Sequence, residues 1–466
     1  MSSHKVLFFI LAVYLLLAGI CLVFPEEGLH AGSVSLRFPT LAEMADSFVP
    51  GEPEPEGPSP EELLKQRLEA IRQSEQDRFE TYMKESPSRL YFPNDDVTLF
   101  DPLFSALEKA GEKHMRILHY GDSQLEEDRI TSTIRSGLQE KFGGGGPGLL
   151  PFGRPYYTLC VSQSSTASLR RSIVFGEGGK RSDGRYGVMG QCARIDTSVY
   201  TTVSAVKSNQ TPSRRFRRLT LLAGNVGGSL NVKCGGKQVK LSPVADPSGV
   251  GRIVIDLPDS STSVRFSTWG SADIYGMQLD DTLGVSVDNI PMRGCSGTVF
   301  TRISTAQLKD YAEHDNVRLV ILQFGGNSMP YRKSGKSISE YKTSIEKQIR
   351  HIHSVMPDAA VLFIGPSDMS TSVSGKMQTY PHLPMMVDSL RAAALNSGAA
   401  YWDLYQAMGG KDSMVKWVKA RPQLAGSDYV HFTPTGAEAM GKMFFESLML
   451  YYDYYRLRRY GISDQQ

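Results

Sequence analysis

Residues 115–124 read MRILHYGDSQ, an apolar run that ends in a glycine, an aspartate and a serine. The apolar part predicts a short buried strand, and apolar residues at every fourth position from 130 to 142 predict a helix over residues 126–142. In α/β folds, ligand-binding groups lie at the carboxyl ends of the strands, where the chain turns towards a helix. Ser123 occupies that position, so this stretch predicts both a fold class and a candidate functional residue.

The alternation of strand and helix returns in the C-terminal part of the chain. An amphipathic pattern predicts a helix at residues 338–353, and Thr433 with Pro434 forms an N-cap and first-turn pair that opens a last helix. Apolar runs predict strands at residues 319–324, 360–364 and 399–404. Strands that alternate with helices form a mostly parallel sheet, so we expect an α/β fold with such a sheet.

The middle of the chain has a different pattern. Short β-rich runs, such as RRLTLLAG at 217–224 and GRIVIDL at 251–257, are separated by Gly, Ser, Asn and Pro. Many short strands at close spacing predict an antiparallel β-sandwich. We therefore expect an inserted all-β domain over residues 155–285, between the first strand–helix unit and the rest of the α/β domain.

The N-terminus contains an uncharged apolar run at residues 6–24, long enough as a helix to cross a hydrocarbon core of about 30 Å. Lys5 precedes the run and Glu26 follows it, which places the start of the chain in the cytoplasm and the remainder outside. A cleaved signal peptide is the alternative, but the run exceeds a usual signal core and no A-x-A site follows. Lipid attachment at Cys21 is disfavoured because a large residue precedes it. We expect an uncleaved anchor in the cytoplasmic membrane.

The predicted organisation has five parts. Residues 50–60 (PGEPEPEGPSP) have the composition of an extended spacer, and residues 61–85 show an amphipathic helical pattern. The parts are a transmembrane anchor (1–25), a linker with an amphipathic helix (26–95), the first part of the α/β domain (96–154), the inserted β-sandwich (155–285) and the second part of the α/β domain (286–466).

Composition and cysteine spacing exclude two classes of partner. The 466 residues carry 51 Lys and Arg against 49 Asp and Glu, a formal net charge of +2. No strong field therefore attracts the chain to nucleic acid. Four cysteines follow the anchor, an even number that could form disulfides outside the cell, with the pairing left open. No clustered Cys/His spacing occurs, so we predict no metal site.

Four separated segments carry candidate catalytic residues. A serine becomes a nucleophile when a base takes its proton, a third group orients that base, and donors bind the oxyanion. Ser123 is the candidate nucleophile, and Asp428 and His431 lie three residues apart ahead of the last helix. Asn327 follows the apolar strand and its glycines, and the Gly294–Gly297 loop follows the insert. Each segment alone is typical of an ordinary turn.

Together these segments resemble a known superfamily. G-D-S, a glycine-containing loop, G-G-N and D-x-x-H occur in the order found in SGNH (GDSL-like) hydrolases, over roughly residues 115–150 and 290–450. The resemblance implies a flavodoxin-like three-layer sandwich with a parallel sheet. It also implies the site roles: Ser123 as nucleophile, His431 as base, Asp428 as its orienter, and Ser123, Gly297 and Asn327 as oxyanion donors. Gly294 competes with Gly297 for that role.

A narrower resemblance concerns the substrate. HYGDSQLEEDRIT at 119–131, then FGGGGPG at 142–148 and a β-rich insert, resemble the bacterial peptidoglycan O-acetylesterase branch, although Gln124 stands where lipase-like members carry Leu. This implies a cofactor-free serine esterase in the cell envelope. Such an enzyme removes acetyl groups from an acetylated glycan in the periplasm, and its insert resembles a carbohydrate-binding module.

Two alternatives remain open at this point. An SGNH-type O-acetyltransferase would pass the acetyl group to a glycan hydroxyl and would need a membrane acyl-transfer partner. A membrane-tethered glycan-binding protein would keep the same residues without catalysis. The insert aromatics Trp269, Tyr275 and Tyr186 could stack on sugars, although the core of a sandwich uses the same residue types.

Overall fold

The chain divides into two units, residues 1–73 and 74–466, and the computed structural model describes residues 3–31, 34–47, 59–206 and 211–461. The first unit contains α1 (Ser3–Val23), the antiparallel pair β1 (Leu29–Ala31) and β2 (Val34–Leu36), and α2 (Leu41–Ser47). Within α1, His4–Val23 has a mean hydropathy of 3.0 and is long enough to cross a membrane, a test that a signal sequence also passes. Residues 50–58 of the predicted spacer lie outside the described residues.

The second unit opens the α/β domain. Helix α3 starts in the first unit and ends in the second, close to the bounds that the amphipathic pattern predicted. The elements are α3 (Pro60–Glu85), β3 (Leu90–Tyr91), α4 (Asp101–Glu108), β4 (Met115–Gly121) and α5 (Thr131–Phe142).

Helix α5 begins five residues later than the pattern predicted. Ser123–Leu125 forms a single 3-10 turn, and Glu127 and Asp128 both have a φ of 64°, which interrupts a right-handed helix. Asp128 is held in this conformation by Arg135, whose Nη1 lies 2.7 Å from its Oδ2 in the interior. The residues predicted as the first turn of the helix are therefore not helical, and one of them, Asp128, forms a buried ion pair instead.

The β-rich middle of the chain forms two antiparallel sheets. In the described residues, one has the strand order β13-β10-β15-β8-β7 with β5 paired to β15, and the other has the order β12-β11-β14-β9-β6. Strand β5 belongs to the first of these sheets although it precedes residue 155. The strands are β5 (Gly148–Leu150), β6 (Val161–Ser165), β7 (Arg170–Ile173), β8 (Gln191–Ile195), β9 (Val199–Ala205), β10 (Phe216–Gly224), β11 (Leu230–Cys234), β12 (Lys237–Leu241), β13 (Gly251–Ser261), β14 (Ser263–Gly270) and β15 (Ala272–Asp280).

The chain then returns to the α/β domain. The strand at Ala360–Ile364 has the bounds that the apolar run predicted, and Thr433 Oγ1 accepts a hydrogen bond from Gly436 N–H at 3.2 Å, as an N-cap does. The elements are β16 (Val285–Pro291), α6 (Thr305–His314), β17 (Val317–Gln323), α7 (Gly335–Val355), β18 (Ala360–Ile364), β19 (Ser370–Val373), β20 (Lys376–Thr379), α8 (Leu383–Asn396), β21 (Ala400–Trp402), α9 (Leu404–Ala407), α10 (Ser413–Lys419) and α11 (Pro434–Tyr460).

The central sheet has the order β16-β4-β17-β18-β21-β3. Its first five strands are parallel, and β3 pairs antiparallel with β21 at the edge. Alternate residues of β4 face opposite sides: Leu118 packs in a core with α6, α7 and α8, whereas Ile117 packs in another with α4, α5 and α11. The predicted α/β fold with a parallel sheet is confirmed, with helices on both faces.

The insert shares its packing with the α/β domain. Tyr186 and Tyr275 of the insert are each 2% exposed and lie in the same apolar cluster as Tyr120 of β4. These two tyrosines are core residues, which corrects the suggestion that they stack on sugars. Arg116 of β4 is also buried and binds Asp280 and Asp288 on either side of the return to the sheet. The insert is thus packed against the central parallel sheet rather than attached by a loose linker.

The cysteines contribute to packing and not to covalent cross-links. All of them lie in described residues and carry free thiols, and the four that follow the anchor are buried: Cys160, Cys192, Cys234 and Cys295.

Candidate active site

The turn after β4 presents Ser123 at the carboxyl edge of the parallel sheet. Asp122 Oδ1 accepts a hydrogen bond from Gln124 N–H at 3.0 Å and so caps the single 3-10 turn. Gly121 is required for this tight turn because a Cβ there would lie 2.7 Å from Leu125 and 3.1 Å from the carbonyl oxygen of Gln323. The close packing keeps the serine at a fixed position beside β17.

The loop before α11 presents His431. Asp428 Oδ1 accepts hydrogen bonds from the backbone N–H groups of Val430 at 3.0 Å and His431 at 3.1 Å. Tyr429 takes a positive φ of 59°, which closes this three-residue turn. The other carboxylate oxygen of Asp428 is thereby directed at the imidazole.

Ser123, His431 and Asp428 form a continuous hydrogen-bonded chain. Ser123 Oγ lies 2.8 Å from His431 Nε2, and His431 Nδ1 lies 2.7 Å from Asp428 Oδ2. Partial burial raises the pKa of Asp428, but the hydrogen bonds from the imidazole and from the two backbone N–H groups outweigh it and hold that pKa below its usual value. A carboxylate at this position keeps the proton on Nδ1 and leaves Nε2 free to accept the serine proton.

A second carboxyl group lies beneath the serine. Asp122 is buried, and burial raises its pKa to about 6, although the N–H of Gln124, the charge of His431 and the amide of Asn327 act in the opposite direction. This residue titrates well above an ordinary aspartate.

The two candidate oxyanion glycines, Gly294 and Gly297, have different surroundings in the structure. Gly294 lines the cleft beside Asn327 and Ser123. The N–H of Gly297 donates instead to Cys295 Sγ at 3.3 Å, and a Cβ on Gly297 would lie 2.7 Å from the ring of Phe324. Gly297 thus serves the packing of the loop, and the geometry favours Gly294 as the glycine that faces substrate.

The cleft itself is open and has a volume of about 540 Å³. Tyr331 projects from one wall with 80% of its surface exposed, and the side chain of Arg293 on the Gly294 loop is 79% exposed. In the described part of the chain, no group of three or more His, Cys, Asp or Glu side chains is arranged to hold a metal ion. The chemistry that the site offers is nucleophilic and acid–base.

Comparison with known proteins agrees with this geometry. The model of the GDSL-like lipase/acylhydrolase family matches residues 259–439, which include Asn327, Asp428 and His431. The match begins within strand β13 of the insert and therefore does not include Ser123. The chain carries a GDSL-like, SGNH-type esterase domain.

Solved structures show how far the esterase fold extends. A peptidoglycan O-acetylesterase aligns with a TM-score of 0.61 and 22% sequence identity, over 75% of this chain and 95% of that chain. An acetyl xylan esterase aligns at a TM-score of 0.25 and 15% identity, over 35% of this chain and 81% of its own, which is too low to add to the argument. No curated protein matches the chain. The insert and the α/β domain together therefore share the fold of the first structure.

Sequence reasoning missed two side chains of the esterase site. Gln124 was noted only as a departure from Leu, yet its amide binds the backbone on both sides of His431. Arg129 donates to the carbonyl oxygens of Phe432 at 2.8 Å and Ser123 at 3.2 Å. No sequence motif marks either role, because Gln124 and Arg129 reach backbone atoms of Val430 and Phe432 that lie about 300 residues away.

Proposed function

We propose that this esterase removes O-acetyl groups from a cell-wall glycan, peptidoglycan, through an acetyl-Ser123 intermediate. The observation that carries the proposal is the Ser123–His431–Asp428 chain, with 2.8 Å and 2.7 Å contacts, at the edge of an open cleft. These are the distances over which a base takes the proton of an attacking hydroxyl. The same three residues define the proposed catalytic set.

Acylation begins at Ser123. His431 Nε2 takes the hydroxyl proton as Oγ attacks the carbonyl carbon of the acetyl ester, and Asp428 stabilises the imidazolium that forms. The tetrahedral intermediate then collapses with cleavage of its bond to the sugar oxygen, which takes the proton back from Nε2. The glycan leaves with a free hydroxyl, and the acetyl group remains on Ser123.

The oxyanion needs donors that are already in place. We assign this role to the backbone N–H of Ser123, the backbone N–H of Gly294 and the side-chain amide of Asn327. The amide nitrogen of Asn327 donates to the carbonyl oxygen of Cys295 at 3.3 Å, and the amide also hydrogen-bonds the carboxyl group of Asp122, so one of its two N–H groups must exchange such a partner for the oxyanion. Gly294 replaces Gly297 in this set because the N–H of Gly297 is directed at a thiol.

Deacylation repeats the steps with water. His431 takes a proton from the water that attacks the acetyl carbonyl, and Ser123 Oγ receives that proton as acetate leaves. Every proton and electron pair is supplied by substrate, water and these side chains. The proposed reaction uses no cofactor.

The glycan substrate is supported by the walls of the cleft. The exposed ring of Tyr331 offers a flat apolar surface of the kind that packs against a sugar. The exposed guanidinium of Arg293 lies 3.5 Å from Glu126 Oε1 through Nη1, and its other N–H groups can donate to hydroxyl or carboxylate groups. The structure that shares the fold is described as a peptidoglycan O-acetylesterase.

The location follows from the same substrate. Helix α1 is long and apolar enough to span a membrane, and we propose that it holds the chain in the cytoplasmic membrane with the esterase domain on the periplasmic side. In this position a membrane-tethered enzyme meets cell-wall glycan directly. The five-part domain organisation remains part of this proposal.

The test compares the full-length chain in detergent with its Ser123→Ala variant. Hydrolysis of 4-nitrophenyl acetate and release of acetate from O-acetylated peptidoglycan are measured, with Ser354→Ala on the exposed face of α7 as the matched control. We expect both activities in the parent and in the control, and loss of both in Ser123→Ala. Release of acetate without an added acceptor distinguishes hydrolysis from acetyl transfer.

Two results would count against the proposal. If the parent cleaves 4-nitrophenyl acetate but releases no acetate from the glycan, the esterase assignment stands and peptidoglycan is not its substrate. A parent that is inactive on both would remove the catalytic role, and glycan binding without catalysis would then explain the fold.

A further inference from the structure

The side chain of Gln124 connects the nucleophile turn to the loop that carries the base. Its Nε2 donates to the carbonyl oxygen of Val430 at 2.7 Å, and its Oε1 accepts from the N–H of Phe432 at 3.3 Å. These two backbone groups flank His431 directly. Gln124 follows Ser123 in the chain, so one side chain ties the position next to the nucleophile to both neighbours of the base.

We propose that Gln124 is a positioning residue that holds His431 within hydrogen-bonding distance of Ser123. The proposal rests on the proposed catalytic roles of these two residues and on no particular substrate. Packing holds the imidazole only weakly, because 40% of its side chain is exposed. Gln124 is 8% exposed, so its hydrogen bonds lie largely out of water, where they orient the loop more strongly.

Arg129 supplies a second connection between the same two segments. Its Nη1 donates to the carbonyl oxygen of Phe432 at 2.8 Å, and its Nη2 donates to the carbonyl oxygen of Ser123 at 3.2 Å. The guanidinium of Arg129 thus links the backbone of Ser123 to that of Phe432, the residue after the base. Gln124 and Arg129 together fix the two backbone segments that the 2.8 Å contact between Oγ and Nε2 requires.

The chemistry of an amide explains why glutamine suits this position. Only a side chain with both a donor and an acceptor satisfies a carbonyl oxygen and an N–H group at once. Leucine would leave both backbone groups without this partner. Glutamate has nearly the same shape and keeps the acceptor for Phe432, but it would place a carboxylate oxygen against the carbonyl oxygen of Val430.

The test measures kcat and KM for 4-nitrophenyl acetate in Gln124→Leu and Gln124→Glu, using the full-length chain in detergent. We expect kcat to fall roughly 10- to 100-fold in both variants, with KM changed less than about threefold, because a misplaced base slows the chemical steps and not the binding of a small ester. The rate at which a fluorophosphonate labels Ser123 should fall in parallel.

Gln307→Leu is the matched control. Gln307 is 1% exposed and also binds two backbone groups, accepting from the N–H of Gly187 at 2.8 Å and donating to the carbonyl oxygen of Ser248 at 3.4 Å, away from the cleft. The thermal unfolding of all variants is recorded. A loss of stability without loss of kcat is expected for Gln307→Leu.

The outcomes separate positioning from packing and from the proposed function. If Gln124→Glu keeps the parental kcat, or if Gln307→Leu loses as much kcat as Gln124→Leu, the positioning role is wrong. If Gln124→Leu fails to fold, the Gln124→Glu variant decides, because its size is unchanged. An inactive parent would instead overturn the catalytic assignment itself, which is a different result.

Discussion

Replacement of Asp122 by Asn should change how the stability of the protein depends on pH. The carboxyl group lies in the interior below Ser123, and burial raises its pKa to about 6, from an ordinary value of 3.8. Asparagine keeps an oxygen that can accept the hydrogen bond from Gln124 N–H but has no charge to bury. The substitution therefore isolates the cost of the buried charge.

The magnitude follows from the difference between the two pKa values. Between pH 4 and pH 6, the folded protein holds a proton on Asp122 that the unfolded chain has released, so stability falls as the pH rises. At about 1.4 kcal/mol for each pH unit, a difference of about two units amounts to about 3 kcal/mol. The parent protein has its full stability with respect to this group below pH 4 and has lost about 3 kcal/mol of it above pH 6. Asp122→Asn avoids this loss, so its free energy of unfolding at neutral pH should exceed that of the parent by up to about 3 kcal/mol.

The assay is urea unfolding of the parent and the Asp122→Asn variant at half-unit steps from pH 4 to pH 8. The difference in unfolding free energy between the two should grow from pH 4 to pH 6 and then stay constant. Asp428→Asn is a control of opposite sign, because the pKa of Asp428 is lowered and its contribution is lost as the pH falls. A difference for Asp122→Asn that does not vary with pH would refute the buried-charge argument.

Two further predictions concern the cleft. Gly297→Ala should destabilise the protein by about 1–3 kcal/mol, because the φ of +75° is unfavourable for alanine and the new Cβ would lie 2.7 Å from Phe324. Gly294 has a similar φ of +72° but no atom within 4 Å of an added Cβ, so Gly294→Ala should lose less stability in urea unfolding, and equal losses would contradict the argument. Tyr331→Ala should raise KM for O-acetylated peptidoglycan several-fold and leave the kinetics on 4-nitrophenyl acetate unchanged, because Tyr331 is 80% exposed and can pack only against a large substrate. An unchanged KM for the glycan would rule out the stacking role.

Local patterns were enough to predict the main elements of the α/β domain. Strand β18 matches its predicted bounds, and Thr433 caps α11 as the sequence indicated. Such features depend on residues close in sequence, so periodicity and capping chemistry reveal them. The start of α5 could not be predicted in this way, because Glu127 and Asp128 take a positive φ, and Asp128 pairs with a buried arginine seven residues further on.

The candidate site shows the same division. The order of the four segments predicted Ser123, Asn327, Asp428 and His431 as a set, and the structure brings them into one cleft. The oxyanion glycine was not decided in this way. The sequence could not distinguish Gly297 from Gly294, because the two glycines stand at either end of the same four-residue segment. Only the direction of a backbone N–H towards a thiol separates them.

By itself, the amino-acid sequence determined the fold class, the long apolar helix and the β-rich insert, because each is encoded by spacing along the chain. Its resemblance to SGNH hydrolases indicated the candidate residues of a serine esterase. The tertiary structure decided the rest. It placed Ser123 Oγ 2.8 Å from an imidazole 308 positions away, and it gave Gln124 and Arg129 their roles through backbone atoms of that distant loop. A backbone carbonyl or N–H group has no sequence signature, so contacts of this kind exist only once the parallel strands have brought the two segments to the same edge of the sheet.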